Sequence, residues 1–194
     1  GFIAVGKFEH ESSDYNCDFY GYTDLWFVST DSEGQVLEES KTGGSYWEIA
    51  YDIVDLGDGT YGLAGKKRHQ RQKPINAWYL RMDGSGNVIS EWNEPDYVNS
   101  SGRGDILYDL ILSPDEQTAI ALGYKSDGDD YAQYLWAFNT STSEEIWNSS
   151  YNEYGRGYAV GLTNAHDGGI MFFGKKDNGR LKIFKADING MVSF

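Results

Sequence analysis

The sequence predicts an all-β protein made of repeated four-stranded antiparallel units. Three observations support this prediction. Four types of short strand recur in the same order along the 194 residues, turns rich in glycine separate them, and no segment has the apolar period of a helix. The composition agrees, because Tyr, Trp and Gly are abundant while Pro occurs only three times. Short strands joined by Gly turns have this composition.

The first strand type ends in a small residue followed by glycine. It occurs at residues 2–7, 61–67, 119–125 and 170–176. Its closing glycines are Gly6, Gly65, Gly123 and Gly174. They are 59, 58 and 51 residues apart, so the repeat is about 50 residues long.

The second strand type leads into a tight turn in three of its four copies. It occurs at residues 25–31, 77–83, 135–141 and 181–187. The turns run from Asp31 to Gly34, from Asp83 to Gly86 and from Asp187 to Gly190. Asp at the first and Gly at the last position of four residues predicts a type I turn. Trp26, Trp78 and Trp136 share one position of this strand, so we interpret them as packing residues between units.

Two further strand types complete each unit. The third is charged and occurs at residues 35–41, 87–93, 144–150 and 190–194. The fourth is apolar and occurs at residues 50–56, 106–112 and 157–163. Four-stranded units of this period indicate a β-propeller in which each unit is one blade. The fourth type would line the central channel, and the third would be outermost, which explains its charge.

The predicted blades are residues 2–42, 50–95, 106–150 and 157–194, and the first lacks its innermost strand. About 20 residues, roughly one strand and its corner, are missing from a closed circle of four blades. We favour a segment of a larger propeller as the explanation. The alternative is a compact four-bladed propeller whose incomplete blade receives a strand from a partner, because an open edge is an aggregation risk.

Composition excludes several classes of partner. The formal net charge of −14 argues against nucleic acid and against anionic membrane surfaces. No stretch of 18 apolar residues occurs, so we expect no membrane insertion. Cys17 is the single cysteine, which excludes an intrachain disulfide.

No catalytic constellation is recognisable, and we predict no catalytic residues and no enzyme activity. The three histidines fall at different repeat positions without metal-ligand spacing, and no phosphate-binding, dinucleotide or hydrolase motif occurs. We expect no cofactor, with Ca²⁺ as the one candidate ion. Asp127, Asp129 and Asp130 alternate in a Gly-containing loop as hard-cation ligands do, although a solvated acidic loop is the favoured interpretation.

The loops after the first strand type differ between units, and a repeated scaffold carries its specificity in such loops. The loop at residues 10–22 contains aromatics that do not repeat: Tyr15, Phe19, Tyr20 and Tyr22. They are candidates for stacking on a sugar or contacting a protein, and a loop folded on its own aromatics is the alternative. The equivalent loop at residues 66–75 is basic and supplies His69 as a further ligand-binding candidate.

Three N-x-[ST] sequons, at Asn99, Asn139 and Asn148, are candidate glycosylation sites of a surface protein.

The repeat, with its D-x-x-G corner and its D-G-x-Y-x-[LV]-A-G strand pair, resembles repeats of bacterial and archaeal cell-surface or secreted β-propellers. The resemblance covers essentially the whole chain and implies an extracellular or cell-surface location. Residues 137–147 are also similar to the tryptophan-docking motif of quinoprotein-type propellers, from which they depart at Asn139 and Ser143. That motif locks blades together and implies architecture, not quinone binding. Glu39 and Glu91 stand where the other blades would carry its Trp.

The sequence therefore predicts a non-enzymatic, extracellular binding, adhesion or scaffold module whose partner is a protein or a glycan. One alternative is a subunit of a filament or surface layer that self-assembles through its open blade edge. Another is a fragment of a propeller enzyme, such as a quinoprotein-like dehydrogenase, a lyase or a hydrolase. Convergent carboxylates with His69 and Lys or Arg at the channel mouth would favour an enzyme, and a channel lined by hydroxyls and Tyr would not.

Overall fold

A computed structural model describes residues 1–9, 23–44, 46–68, 74–95, 104–127, 130–151, 157–176 and 180–192. These residues form fourteen strands, and no helix occurs among them. The prediction of an all-β fold is therefore confirmed. The described part likewise contains no helix that is long and apolar enough to cross a membrane.

The strands follow one another along the described ranges, and tight turns join several of them. They are β1 (Phe2–Glu9), β2 (Thr23–Thr30), β3 (Val36–Thr42), β4 (Trp47–Asp55), β5 (Thr60–Arg68), β6 (Asn76–Asp83), β7 (Val88–Asn93), β8 (Ile106–Leu112), β9 (Thr118–Asp127), β10 (Asp130–Asn139), β11 (Glu145–Ser150), β12 (Gly157–Asn164), β13 (Ile170–Lys176) and β14 (Leu181–Ala186).

Hydrogen bonding groups these strands into four consecutive antiparallel meanders, which we call units 1 to 4. Unit 1 contains β1–β3, unit 2 contains β4–β7, unit 3 contains β8–β11 and unit 4 contains β12–β14. A single parallel bridge, between Thr23 and Trp47, joins the sheets of units 1 and 2. Units 2 and 3 thus have four strands each, while units 1 and 4 have three.

The predicted turns from Asp to Gly are present, and side-chain chemistry explains them. Asp83 Oδ1 accepts the N–H groups of Ser85 and Asn87, both at 2.9 Å. Gly86 then adopts φ +83°, which favours glycine because a Cβ crowds the backbone there. In unit 3 the turn is one residue longer, and Ser143 occupies the left-handed position at φ 62°.

The apolar core lies between adjacent units. Successive residues of a strand point to opposite faces of its sheet, so Leu63 packs towards unit 1 while Ala64 packs towards unit 3. Trp78 is buried between units 1 and 2, and Trp136 is buried between units 2 and 3. Trp26, at the same repeat position of unit 1, is only half-buried because it faces away from unit 2.

The units follow one another in an arc. Extensive contacts join β1 to β4, β4 to β8 and β8 to β12. No contact of comparable extent joins unit 4 back to unit 1 within the described ranges. Among the described residues, no neighbouring unit covers the outer faces of the first and last units.

Candidate ligand pocket between units 1 and 2

A cavity of about 300 Å³ lies where unit 1 meets unit 2. This volume is at the lower end of the range for small-molecule sites. The connection from β3 to β4 forms one wall, and side chains of β4, β5, β6 and β7 form the other. The described lining residues include Thr42, Gly44, Tyr46, Glu48, Lys67, Arg68, Trp78, Val88 and Glu91.

The strand register brings these side chains together. Glu48 of β4 lies directly opposite Lys67 of β5 in the antiparallel pair. Trp78 of β6 lies opposite Gly65, two residues before Lys67, so both side chains emerge at the same end of the sheet. Glu91 follows on β7, opposite Leu80. The strands thus supply an acid, a base, an aromatic ring and a second acid in order across the sheet.

Glu48 is the buried polar group of this pocket, with only 5% of its surface exposed. Burial raises the pKa of its carboxyl, although a hydrogen bond from the N–H of Gly44 and the nearby Lys67 act in the opposite direction. Within the described part of the chain, Glu48 Oε2 has no hydrogen-bond partner. An unpaired buried carboxyl oxygen is costly, so Glu48 is prepared to accept a hydrogen bond from a ligand, or to donate one when protonated.

Glu91 is fully engaged by its neighbours. Lys67 Nζ lies 3.2 Å from Oε1 and 3.0 Å from Oε2 of Glu91, and Trp78 Nε1 donates to Oε2 at 2.9 Å. Burial alone raises the pKa of Glu91, but the hydrogen bonds from Lys67 and Trp78 outweigh it and leave that pKa below its ordinary value. The ammonium of Lys67 also sits 5.2 Å from the centre of the Trp78 ring. This network fixes one wall of the pocket.

Arg68 stands at the edge of the pocket. Its guanidinium carbon lies 4.3 Å from the centre of the Trp47 ring, a stacked arrangement that holds a flexible side chain in place. The pocket therefore combines an acceptor without a partner at Glu48, cationic donors at Lys67 and Arg68, and aromatic surface. This set of groups suits a polar ligand that both donates and accepts hydrogen bonds.

A second set of carboxylates lies on the strands that the sequence predicts to be innermost. β4, β8 and β12 each contain a bulge at the same repeat position. Directly after the bulge, Asp52 Oδ2 accepts the N–H of Leu110 in unit 3 at 2.8 Å, and Asp109 Oδ2 accepts the N–H of Leu162 in unit 4. Burial, followed by the neighbouring Asp52, raises the pKa of Asp109 to about 6. These carboxylates link consecutive units through the backbone.

A third cluster joins the end of unit 2 to the start of unit 3. Lys125 Nζ forms an ion pair with Glu94 Oε1, and Asp105 Oδ1 accepts the N–H of Ser126 at 2.7 Å. Burial, followed by the adjacent Glu94, raises the pKa of Asp105 to about 8. Because every one of these groups contacts the next, the cluster connects β7, β8 and β9.

Most of the residues proposed from the sequence lie outside the described residues. These are Tyr15, Phe19, Tyr20, Tyr22, His69, Asn99 and Asp129. Asp127 and Asp130 are partners in the register of β9 with β10. No group of three or more His, Cys, Asp or Glu residues that could hold a metal ion occurs in the described ranges.

The other two sequons are described, and they occupy different settings. Asn139 Oδ1 caps its turn by accepting the N–H groups of Ser141 at 2.9 Å and Thr142 at 3.0 Å. Asn148 is exposed on β11, where its Nδ2 donates to Glu145 Oε1 at 2.5 Å.

The sequence analysis did not identify this pocket. Lys67 and Arg68 belong to the basic segment 66–75, which the sequence predicts to be a variable loop, whereas in the structure both residues lie at the end of β5. Glu48 and the pair Asp52 and Asp109 were missed. The signal for Glu48 is a charged residue between the apolar residues Trp47 and Ile49 at the start of β4. The signal for the aspartates is a Tyr-Asp pair shared by β4 and β8.

The sequence matches no protein-family model and no curated protein. Solved structures similar to it include an α-L-arabinofuranosidase from Lactobacillus brevis, with a TM-score of 0.52, 12% identity, and coverage of 99% of this chain and 71% of the other. A eukaryotic initiation factor matches with a TM-score of 0.45 and 10% identity, with coverage of 99% of this chain and 51% of the other. A hypothetical protein from Leishmania major matches with a TM-score of 0.37 and 8% identity, with coverage of 99% of this chain and 84% of the other.

The chain therefore spans about half the length of that initiation factor. Of these similarities, the one to the arabinofuranosidase bears on the fold alone, and it agrees with a β-rich architecture.

Proposed function

We propose that the chain is a β-propeller, or a segment of one, that acts as a non-enzymatic extracellular binding module. Its ligand is a carbohydrate, and one sugar unit occupies the pocket between units 1 and 2. The observation that carries the proposal is the buried Oε2 of Glu48, which has no partner in the described part of the chain and lines a cavity of about 300 Å³.

The arrangement of the units supports the propeller. Antiparallel meanders follow one another along the chain and pack face to face, as blades do. Units 2, 3 and 4 place the same strand type next to one another, so that β4, β8 and β12 come together at one side. Within the described ranges, units 4 and 1 make no extensive contact, which argues against a closed ring of four.

The pocket chemistry supports a sugar as the ligand. Sugar hydroxyls donate and accept hydrogen bonds, and they find an acceptor at Glu48 and donors at Lys67 and Arg68. Tyr46 and Trp78 contribute aromatic surface, against which the C–H face of a sugar ring can pack. The opposite charges lining the pocket favour a neutral ligand over a strongly ionic one.

The setting of the innermost carboxylates supports binding over catalysis. Asp52 and Asp109 each accept a backbone N–H from the following unit, so they are committed to holding the units together. A propeller enzyme requires convergent carboxylates that are available to the substrate. The extracellular location rests on the resemblance to surface propeller repeats and on the acidity of the chain.

A glycan microarray with the purified chain tests the proposal, followed by calorimetric titration of the best ligand. We expect Glu48→Gln, which removes the anionic acceptor but keeps the volume, to weaken binding about tenfold or more. Glu38→Gln on the exposed face of β3 is the matched control and should leave the affinity unchanged.

An array without any bound glycan would overturn the carbohydrate assignment, as would equal affinities of the Glu48→Gln variant and the parent. Binding that responds only to changes in the loop at residues 10–22 would move the site away from the pocket. Capture of a purified protein partner through the pocket residues would replace the glycan with a protein ligand.

A further inference from the structure

The contact between units 2 and 3 repeats the acid and the lysine of the pocket between units 1 and 2. Lys67 and Lys125 each lie two residues after the closing glycine of β5 or β9. Glu48 and Asp105 each lie two residues before the residue of β4 or β8 that pairs with that glycine. Each lysine ammonium also lies near the aromatic ring that pairs with the glycine, at 5.2 Å in unit 2 and 5.6 Å in unit 3. The two contacts are therefore equivalent sites.

The sites differ in the residue that the preceding unit contributes. Thr42 pairs with Leu25 in unit 1, and the N–H of Glu94 donates to the carbonyl of Ala77 in unit 2. Leu25 and Ala77 each precede the tryptophan that pairs with the closing glycine of their unit. Thr42 and Glu94 thus have the same place in the repeat. Thr42 lines the pocket, whereas Glu94 is a longer side chain that is only 6% exposed.

Glu94 occupies its site with its own carboxyl group. Its Oε1 forms the ion pair with Lys125, and its buried Oε2 has no hydrogen-bond partner in the described ranges. Burial, followed by Glu94, raises the pKa of Asp105 to about 8, so Asp105 keeps its proton at neutral pH and can donate it to Glu94. The carboxyl group of Glu94 thus interacts with both the acid and the lysine of the site.

The two lysines take their counter-ions from different units. Lys67 pairs with Glu91 on β7 of its own unit. In unit 3 the strand register gives the place of Glu91 to Asn148, which carries no charge. Lys125 is instead neutralised by Glu94 of the preceding unit. The pocket between units 1 and 2 therefore balances its lysine without a carboxylate from the preceding unit.

We propose that Thr42 determines the specificity of the pocket, because it leaves open the space that a carboxyl group fills in the equivalent site. A hydroxyl group of a neutral sugar takes that space, donates to Glu48 Oε2 and accepts from Lys67. The inference rests on the proposed carbohydrate-binding function and names the class of sugar. Uronates bind poorly, since Glu91 already neutralises Lys67 and a further carboxylate is repelled by the acids of the pocket.

Titrations of the full chain with matched sugars, followed by NMR, test the proposal. The probes are the methyl glycosides of glucose, galactose and mannose, each compared with the methyl glycoside of the corresponding uronate. We expect the wild-type protein to bind at least one neutral glycoside and to bind its uronate about tenfold or more weakly.

Thr42→Glu should abolish binding of the neutral glycoside, because the new carboxyl group fills the pocket as Glu94 fills the equivalent site. Glu94 is the precedent for a glutamate at this place of the repeat, and urea denaturation checks that the variant is folded. Thr42→Ser is the matched control, since it keeps both the space and the hydroxyl, and it should retain the affinity within about threefold. Glu91→Gln removes the counter-ion of Lys67 and should reduce the preference for the neutral sugar about tenfold.

The outcomes separate this proposal from the proposed function. Absence of binding of all six glycosides by the wild-type protein would overturn the carbohydrate function and this inference with it. Binding that Glu48→Gln weakens but Thr42→Glu leaves unchanged would overturn the role of Thr42 alone. Equal affinities of the wild-type protein for a neutral sugar and its uronate would do the same, as would a preference that Glu91→Gln does not alter.

Discussion

Trp78 donates a hydrogen bond from Nε1 to Oε2 of Glu91 at 2.9 Å. Unit 1 repeats the same relationship, because Trp26 Nε1 donates to Glu39 Oε1 at 2.9 Å. The two glutamates stand where a docking tryptophan would be in the motif at residues 137–147. Each glutamate instead accepts a hydrogen bond from the tryptophan of its own unit. The two pairs differ in their exposure to solvent, since Trp78 is buried and Trp26 is half-exposed.

Glu91→Gln should destabilise the protein more than Glu39→Gln. The first change removes the ion pair with Lys67 and weakens the bond to a buried indole, for an expected loss of about 1–2 kcal/mol in the free energy of unfolding. The second removes a more exposed contact and should cost less than about 1 kcal/mol. Urea denaturation of both variants measures the difference. Equal losses of stability in the two variants would show that burial of Trp78 does not strengthen its hydrogen bond to Glu91.

The repeating parts of the fold could be predicted because they are local in sequence. Asp83 bonds to Ser85 and Asn87 within four residues, and Gly86 is the residue that the turn requires. Such chemistry is visible in any short stretch of sequence. Alternation of apolar residues likewise identifies strands before any partner is known.

The pocket could not be predicted, because its residues are distant in sequence and meet only through register. Glu48 and Glu91 line one cavity although they are 43 positions apart in the sequence. A shift of one residue in the pairing of β4 with β5 would turn Glu48 to the other face of the sheet. Burial also decides the role of Glu48, and burial depends on the packing of unit 1 against unit 2.

Glu48→Gln should change how stability depends on pH. Burial raises the pKa of Glu48 in the folded protein above its ordinary value of 4.5. Between the unfolded and folded pKa values the folded state binds more protons, so the wild-type protein loses stability as the pH rises through that window. The glutamine variant lacks this contribution and should show a flatter profile and a higher stability at pH 7. Thermal melts from pH 4 to 8 measure both.

Glu38→Gln is again the control for this titration, because Glu38 is exposed on β3. Its profile should follow that of the wild-type protein. A Glu48→Gln profile that also follows the wild type would mean that the carboxyl is solvated in solution.

Asp52→Ala should loosen the link between units 2 and 3. The change removes the acceptor that the N–H of Leu110 has at 2.8 Å and leaves that N–H its 3.1 Å bond to Asp109. Loss of a hydrogen bond to a carboxylate costs about 1.5–3 kcal/mol. Asp55→Ala, on the same strand but exposed, removes only the bond to the N–H of Gly57 and should cost less than about 1 kcal/mol. Amide hydrogen exchange at Leu110 gives a local readout, and it should accelerate in Asp52→Ala alone. Unchanged exchange would contradict the role of Asp52 as a link between units.

Gly86→Ala and Gly34→Ala separate backbone strain from packing between units. Both glycines have φ +83°, so each alanine suffers the same left-handed strain of about 1–2 kcal/mol. A Cβ on Gly34 would meet nothing within 4 Å, whereas one on Gly86 would lie 1.9 Å from Ser40 Oγ and 3.0 Å from the Phe27 ring of unit 1. We therefore expect Gly86→Ala to lose about 1–3 kcal/mol more than Gly34→Ala in urea denaturation, because overpacking adds to the strain. Equal losses would mean that the turn after β6 does not press against unit 1 in solution.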